Sequence, residues 1–180
     1  MKIPIAKPYL GVEEAQEAYN TILTNWVTQG PRVQEFEEKF AAYVGSKYAI
    51  AISNCTTALH LAMIVANVKE GDEVICPSMS YIATANAIKY VGATPVFAEV
   101  NSETFNIDVV HAEKLITSKT KAILIVHQIG YAADIDAFKK LCDKKNLQLI
   151  EDAACAAGTE YKKNKIGSHS DLVCFSFHPR

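Results

Sequence analysis

Two adjacent acids, Glu151 and Asp152, follow an apolar run at residues 147–150 that is typical of a buried strand. A carboxylate in that position is costly to bury unless a cation or hydrogen-bond donors compensate its charge. A site for a cationic or hydrogen-bonding partner is therefore one interpretation of this pattern. The alternative is that both acids lie at the solvated edge of a sheet or cap the next turn, and the residues alone leave both interpretations open.

A second polar group, residues 53–57, follows the apolar run 48–52 and contains Thr56 and Thr57. A helix-like segment comes directly after it. Free backbone N–H groups, the helix dipole and hydroxyl donors meet at such a helix start and can bind an anion. The same residue types are the usual N-caps, so simple capping is the alternative.

Three further candidates each stand just after an apolar run. Tyr81 places an aromatic ring there, although a lone tyrosine is more often a half-buried core residue than a stacking platform. His127 is expected to be packed in the core. His178 could act as a general base, although the sequence shows no partner for it.

Six short β-rich runs position these side chains. They cover residues 48–52, 73–76, 95–98, 122–126, 147–150 and 172–175. Several lack polar alternates, which is typical of strands covered on both faces. Segments with helical periodicity alternate with them, so we predict an α/β fold with a mostly parallel sheet sandwiched by helices. Ligands of such sheets bind beyond the carboxyl ends of the strands, where the candidates above are found.

Two amphipathic stripes precede the first of these runs, and we expect their helices to pack outside the sheet or on a partner subunit. The stripes are formed by Ala15, Ala18, Tyr19, Ile22 and Trp26 and by Val33, Phe36, Phe40 and Val44. A third stripe follows Asp134, which we predict to be the N-cap of its helix. This stripe is formed by Ile135, Phe138, Leu141 and Cys142. No repeat or linker interrupts the chain, so we expect one domain or a piece of one.

The composition excludes several classes of protein. The chain has 180 residues, of which 49% are hydrophobic and 21% charged, with a net charge of −2 and no basic stripe. These features argue against nucleic acid or an anionic membrane as the main partner. No apolar run could span a bilayer and no signal-like segment begins the chain, so we predict a cytoplasmic protein. The five cysteines form no C-x-x-C, and we expect reduced thiols and no metal site. The chain contains neither of the two common glycine-rich motifs that bind nucleotides, G-x-G-x-x-G and G-x-x-x-x-G-K-[ST].

Beyond these patterns, the chain resembles the amino-terminal half of the DegT/DnrJ/EryC1/StrS family, sugar aminotransferases that use pyridoxal 5′-phosphate (PLP). The matching stretches occur in family order over nearly all residues: TQGP at 28–31, FE at 36–37, NCTTALHLA at 54–62, PSMSY at 77–81, GATPV at 92–96, KTKAI at 119–123, EDAA at 151–154 and FSFH at 175–178.

The resemblance implies a fold, an activity and a set of roles. The fold would be the large domain of a type I aminotransferase, and residues 1–180 would hold the amino-terminal segment and most of that domain. The enzyme would be a homodimer with the active site at the interface, moving an amino group from glutamate to a keto group of a nucleotide-linked sugar. The implied cofactor contacts are Asp152 on the ring nitrogen, Tyr81 on the ring face, Thr56, Thr57 and Ser176 on the phosphate, and Cys155 near the phenolic oxygen.

Three positions differ from the family pattern. The family lysine that bonds to the cofactor is expected directly after Arg180, which predicts that this chain is the front part of a longer enzyme. Cys55 stands where the family frequently has Gly, and Cys155 where it often has Gln, His or Glu. Two alternatives stay open: a family dehydratase, with His at the position after Arg180, or a non-catalytic module that binds the cofactor or supports dimerisation.

Overall fold

The computed structural model describes residues 8–178, which divide into two compact units. One holds the chain up to Ala51 together with Phe177 and His178, and the other runs from Ile52 to Ser176. The amino-acid composition does not change where the two units divide, so the sequence shows no linker between them.

The first unit is built from two helices, α1 (Val12–Leu23) and α2 (Pro31–Val44). Proline at the first position of α2 suits a helix start, and the helix ends at Gly45, whose φ of 75° requires glycine-like freedom. Three aromatic rings pack together in this unit: Phe36 and Phe40 are stacked, and Phe177 meets each of them edge-on at 5.1 Å. Helix α1 buries none of its residues, so its predicted apolar stripe is exposed, and packing on a partner subunit stays a prediction.

The second unit contains the sheet. Its strands are β1 (Glu73–Pro77), β2 (Thr94–Ala98), β3 (Thr120–Val126), β4 (Gln148–Ala153) and β7 (Val173–Phe175), in the order β2-β1-β3-β4-β7. All four neighbouring pairs are parallel. A short antiparallel hairpin, β5 (Glu160–Tyr161) and β6 (Asn164–Lys165), lies between β4 and β7 in the chain. The predicted α/β fold with a mostly parallel sheet is confirmed.

Helices cover both faces of this sheet. They are α3 (Cys55–Val65), α4 (Ile82–Tyr90), α5 (Val109–Lys114) and α6 (Ile135–Lys145). Leu124 and Ile150 join α3 and α4 in one core, whereas Ile123 and Ile125 join α5 and α6 in the other. Neighbouring residues of one strand therefore belong to different cores, as strand alternation requires. Asp134 is the N-cap of α6 as predicted, since its carboxylate accepts the Ala137 N–H at 3.2 Å.

One predicted strand is wrong, and one ends later than predicted. Residues 48–52 form no strand, and Tyr48 and Ile50, which alternate on one side of the segment, are 72% and 80% exposed. Its Ala51 N–H donates to the Glu37 carboxylate instead, at 2.7 Å. Strand β4 extends three residues beyond position 150, so both acids that follow the apolar run lie within the strand.

All five cysteines are free thiols, as predicted. Among the helices of residues 8–178, none has the length and apolar character needed to cross a bilayer.

Candidate active site

The strand register places Asp152 at the carboxyl edge of the sheet. It lies beside Val126 of β3 on one side and Cys174 of β7 on the other. Ser176 comes two residues after Cys174, directly beyond the end of β7. Parallel pairing therefore brings Asp152 and the segment that leads to Ser176 to the same edge, where ligands of such sheets bind.

The Asp152 carboxylate is buried and hydrogen-bonded through both oxygens. Asp152 is only 5% exposed. Oδ2 accepts the Thr84 hydroxyl of α4 at 2.8 Å, and Oδ1 accepts the Ala154 N–H at 3.1 Å. The Thr84 hydroxyl also shares a hydrogen bond of 2.7 Å with Ser80 Oγ. Both acids are buried, since Glu151 is 0% exposed, so their predicted alternative location at a solvated edge is wrong.

No lysine, arginine or histidine of residues 8–178 forms an ion pair with Asp152. Burial raises the pKa of this carboxyl above its ordinary value, and the hydrogen bonds from Thr84 and Ala154, together with the nearby His127, oppose that rise only in part. A negative charge in this place is stabilised by a cationic group that supplies the missing charge. The site thus fits a ligand with a positively charged, hydrogen-bonding ring atom.

The amino end of α3 provides polar donors in the same unit. Asn54 caps the helix, its Oδ1 accepting the Thr57 N–H at 2.9 Å and the Thr57 hydroxyl at 3.1 Å. The residues at this helix start therefore do act as an N-cap, which was one of the two alternatives predicted. It leaves the first-turn amides of Cys55 and Thr56, which have no acceptor inside the helix, available for an anion. Helix α3 packs against β4 and β7, so this helix start belongs to the same part of the unit as Asp152.

Two thiols add to the surroundings of the carboxylate. Cys55 begins α3, and burial together with the nearby Asp152 and Cys155 raises the pKa of its thiol to about 12. It is therefore a neutral thiol at physiological pH. Cys155 follows β4 and is exposed.

The other predicted site residues fall in different places. Tyr81 is 68% exposed and directly precedes α4, with its carbonyl accepting the Thr84 N–H at 3.1 Å, so its interpretation as a half-buried core residue is wrong. Ser176 is half-buried and ends the second unit. His178 belongs to the first unit, and its role as a general base stays a prediction.

Two buried polar groups were missed by the sequence analysis. Thr84 is a lone hydroxyl on the buried face of α4, among Ala87 and Ile88. A polar residue in such an apolar stripe could have indicated a buried hydrogen-bond partner. The other group is the pair formed by His127 Nε2 and Glu151 Oε2 at 2.7 Å, both residues 0% exposed. His127 is packed as predicted, but nothing local in the sequence indicates its partner.

Side chains in this unit suit an organic cofactor better than a metal. Within residues 8–178, no three His, Cys, Asp or Glu side chains gather in a way that could hold a metal ion. A buried carboxylate, an exposed aromatic ring and a polar helix start instead fit a flat, cationic ring that carries an anionic group.

Comparison with known proteins identifies the relatives of this chain. A sequence model of the DegT/DnrJ/EryC1/StrS aminotransferase family matches residues 8–180. The chain belongs to this family. A GDP-perosamine synthase of Caulobacter vibrioides is 45% identical to it over 177 residues, an overlap of 98% of the chain and 48% of that protein. The chain spans about half the length of the curated relatives it matches.

Solved structures of aminotransferases share the fold. Helicobacter pylori PseC, an aminotransferase involved in the biosynthesis of pseudoaminic acid, has a TM-score of 0.93 at 32% identity, covering 99% of this chain and 48% of PseC. The PLP form of Spr1654 from Streptococcus pneumoniae has a TM-score of 0.94 at 33% identity, covering 99% of this chain and 49% of that protein.

Proposed function

We propose that this chain forms the cofactor-binding part of a PLP-dependent aminotransferase that moves an amino group from glutamate to a keto group of a nucleotide-linked sugar. Family membership supports the aminotransferase activity, and the GDP-perosamine synthase among the relatives supports a nucleotide-linked sugar. The observation that carries the proposal is the buried Asp152 carboxylate, which has two hydrogen-bond donors and no cationic partner within residues 8–178.

Asp152 is the electrostatic centre of the proposed site. PLP, when bound, supplies an electron sink whose strength depends on a protonated ring nitrogen. The Asp152 carboxylate holds that proton on the nitrogen, because the charge pair is strong in a water-poor environment. Thr84 and the Ala154 amide orient the carboxylate, so its geometry is set before the cofactor arrives.

Phosphate binding is assigned to the start of α3 and to the end of β7. The first-turn amides and the hydroxyls of Thr56 and Thr57 present donors at the positive end of a helix of 11 residues. Ser176 adds a hydroxyl beyond β7. A phosphate held from two elements keeps the ring in one orientation relative to Asp152.

The remaining cofactor contacts are assigned to Tyr81 and Cys155. The exposed ring of Tyr81 offers a flat apolar surface to one face of the cofactor. Cys155 carries only a weak donor, so it contributes less to the phenolic oxygen than an amide or imidazole would. We also assign a homodimer, which the exposed apolar stripe of α1 supports. The catalytic role of His178 and a cytoplasmic location complete the proposal.

The test uses the full-length protein with PLP, ¹⁵N-glutamate and a panel of GDP-, UDP- and dTDP-linked keto sugars. Mass spectrometry of the sugar product is expected to show an amino group that carries the label. A deoxysugar without nitrogen would instead identify a dehydratase, and cofactor binding without turnover of any sugar would identify a non-catalytic module.

Two variants connect the activity to the site. Asp152→Asn is expected to reduce turnover by at least about a hundredfold while the protein stays folded, since the charge on the ring nitrogen is lost. Asp143→Asn removes an exposed carboxylate from α6 and is expected to leave turnover unchanged. Near-normal turnover of Asp152→Asn would remove this residue from the mechanism.

A further inference from the structure

The turn that follows β3 holds an isoleucine in a conformation that disfavours it. A single turn of 3-10 helix covers Gln128–Gly130, and Ile129 has φ 52° and ψ 31°. This left-handed region is unfavourable for any residue with a Cβ and most of all for a β-branched one. Asn25, Asn67 and Asn146 occupy the same region elsewhere, and Ile129 is the only β-branched residue of positions 8–178 with a positive φ.

Several hydrogen bonds fix the turn in this shape. Its backbone is tied to itself by Gly130 N–H to His127 O at 3.2 Å and by Tyr131 N–H to Gln128 O at 2.9 Å. Side chains from other segments hold it at 2.8 to 3.0 Å: Thr159 Oγ1 donates to Gly130 O, Asn106 Nδ2 donates to Tyr131 O, and Asn106 Oδ1 accepts from Gln128 N–H. Such a frame can maintain a strained residue.

The buried pair described above anchors the base of this turn. Ala133 donates its N–H to His127 Nδ1 at 3.1 Å, which assigns the ring proton to Nε2 and directs it to Glu151. The second carboxylate oxygen of Glu151 accepts the Ser170 hydroxyl. His127 is thus held at three points, because its own N–H also donates to the Asp152 carbonyl at 3.0 Å.

The turn lies against the segment that carries Asp152. The His127–Asp152 backbone bond joins the two directly. On the next segment, a Cβ placed on Gly130 would be 2.9 Å from the Cys155 carbonyl oxygen, so the two backbones are in contact. The backbone of the turn therefore lies beside Asp152 and Cys155 of the candidate active site.

The side chains that this rigid turn presents do not contribute to the core. Ile129 is 81% exposed and Tyr131 is 62% exposed. Asparagine or glycine at position 129 would satisfy the backbone with less strain. Strained residues of this kind cluster at ligand-binding sites, which makes the exposed Ile129 a candidate for a ligand contact.

We propose that Ile129 and Tyr131 form a contact surface for the hexose ring of the acceptor and help to select that sugar; this rests on the function proposed above. Residues 128–131 carry no charged side chain, so the turn does not suit glutamate, whose carboxylates require cationic or strong donor partners. An aliphatic side chain and an amphipathic phenol suit the C–H face and the hydroxyl groups of a neutral sugar.

The decisive variant is Ile129→Asn, made in the full-length protein. Its melting temperature is expected to rise by about 2–4 °C, because asparagine tolerates the left-handed conformation. Its kcat/KM for the best sugar of the panel is expected to fall about tenfold, as for the loss of one apolar contact. The rate at which 2-oxoglutarate forms from glutamate in a single turnover is expected to stay within about twofold of the wild-type rate, since the turn does not contact the amino donor.

Lys163→Asn is the matched control. Lys163 is also exposed and has φ 70°, but it lies in the β5–β6 hairpin. It is expected to gain stability without any change in sugar kinetics. Tyr131→Ala provides a second variant of the turn, with the same expected loss for the sugar and none for glutamate.

Each other outcome overturns the proposal. Unchanged sugar kinetics in Ile129→Asn and Tyr131→Ala would show that the turn does not contact the acceptor. Equal losses for sugar and glutamate would assign the turn to cofactor positioning, and a changed oligomeric state by light scattering with normal sugar kinetics would assign it to contact between two copies. A wild-type protein that aminates no sugar of the panel would refute the proposed function itself, and this inference with it.

Discussion

Replacing Asp152 with asparagine is expected to stabilise the protein that lacks cofactor. The exchange keeps the volume of the side chain and can keep its hydrogen bonds. Asparagine Oδ1 can accept the Ala154 N–H, and its Nδ2 can donate to the Thr84 hydroxyl, which then donates to Ser80. The main difference between the two proteins is therefore a buried charge without a cationic partner.

The size of the effect follows from two opposing contributions. Two hydrogen bonds to a charged acceptor become bonds to a neutral one, which removes about 2 kcal/mol of stabilisation in total. Burying a carboxylate has a desolvation penalty of several kcal/mol, and burial is the largest influence on the pKa of Asp152. We therefore expect Asp152→Asn to raise the free energy of unfolding by about 1–2 kcal/mol at neutral pH.

The pH dependence has a defined sign. Because the pKa of Asp152 is higher in the folded protein than in the unfolded chain, the folded state binds this proton more tightly. The stabilisation that results is present at acid pH and is lost as the pH rises through the raised pKa. The advantage of Asp152→Asn should therefore grow with pH and vanish when the wild-type carboxyl is protonated.

Urea unfolding of both proteins without cofactor, over a pH series from the ordinary carboxyl pKa of about 4 up to about 9, measures this difference. With saturating PLP the order should reverse, because the cofactor stabilises mainly the wild type. A variant without cofactor that is less stable than wild type, or a difference independent of pH, would refute the assignment of Asp152 as an uncompensated charge.

Three further substitutions test individual contacts. Thr84→Val removes the hydroxyl donor of the buried carboxylate and should weaken PLP binding about tenfold in equilibrium dialysis; unchanged affinity would contradict this positioning role. Tyr81→Ala should weaken PLP binding about three- to tenfold, whereas Tyr90→Ala at the other end of α4 should not, and equal effects would argue against stacking. Gly130→Ala should lower the free energy of unfolding by about 2 kcal/mol more than Gly71→Ala, because both have positive φ but only Gly130 faces a backbone oxygen; equal losses in urea unfolding would show that this close contact is absent.

The sheet could be predicted from the sequence because its strands are apolar on both faces. The run at residues 122–126 shows this most clearly, since both faces of β3 are covered. The same criterion failed at residues 48–52, where an equally β-rich segment is only partly buried and forms no strand. Local composition records which residues could be buried, whereas burial itself depends on what the rest of the chain places against them. The β5–β6 hairpin was missed because strands of two residues leave no periodic pattern.

Reasoning from the sequence could propose the site residues within family motifs, but it could not propose the residues that support them. Asp152 was selected because an acid at the end of an apolar run requires a partner. Its main side-chain donor, Thr84, is 68 positions away in the chain, and Glu151 is 24 positions from His127. Contacts over such separations depend on the order of the strands, which periodicity does not determine. The left-handed Ile129 has no sequence signature, since its residue type argues against that conformation.

The hydroxyl groups of Ser80 and Thr84 affect how quickly the Asp152 carboxylate can exchange a proton with its surroundings. They form a continuous chain of hydrogen bonds from the half-buried Ser80 to the Asp152 carboxylate. Each hydroxyl can both give and receive a proton, so exchange with bulk water can proceed along the chain by rotation of two side chains. Loading and release of a proton at Asp152 then require no opening of the sheet or of α4.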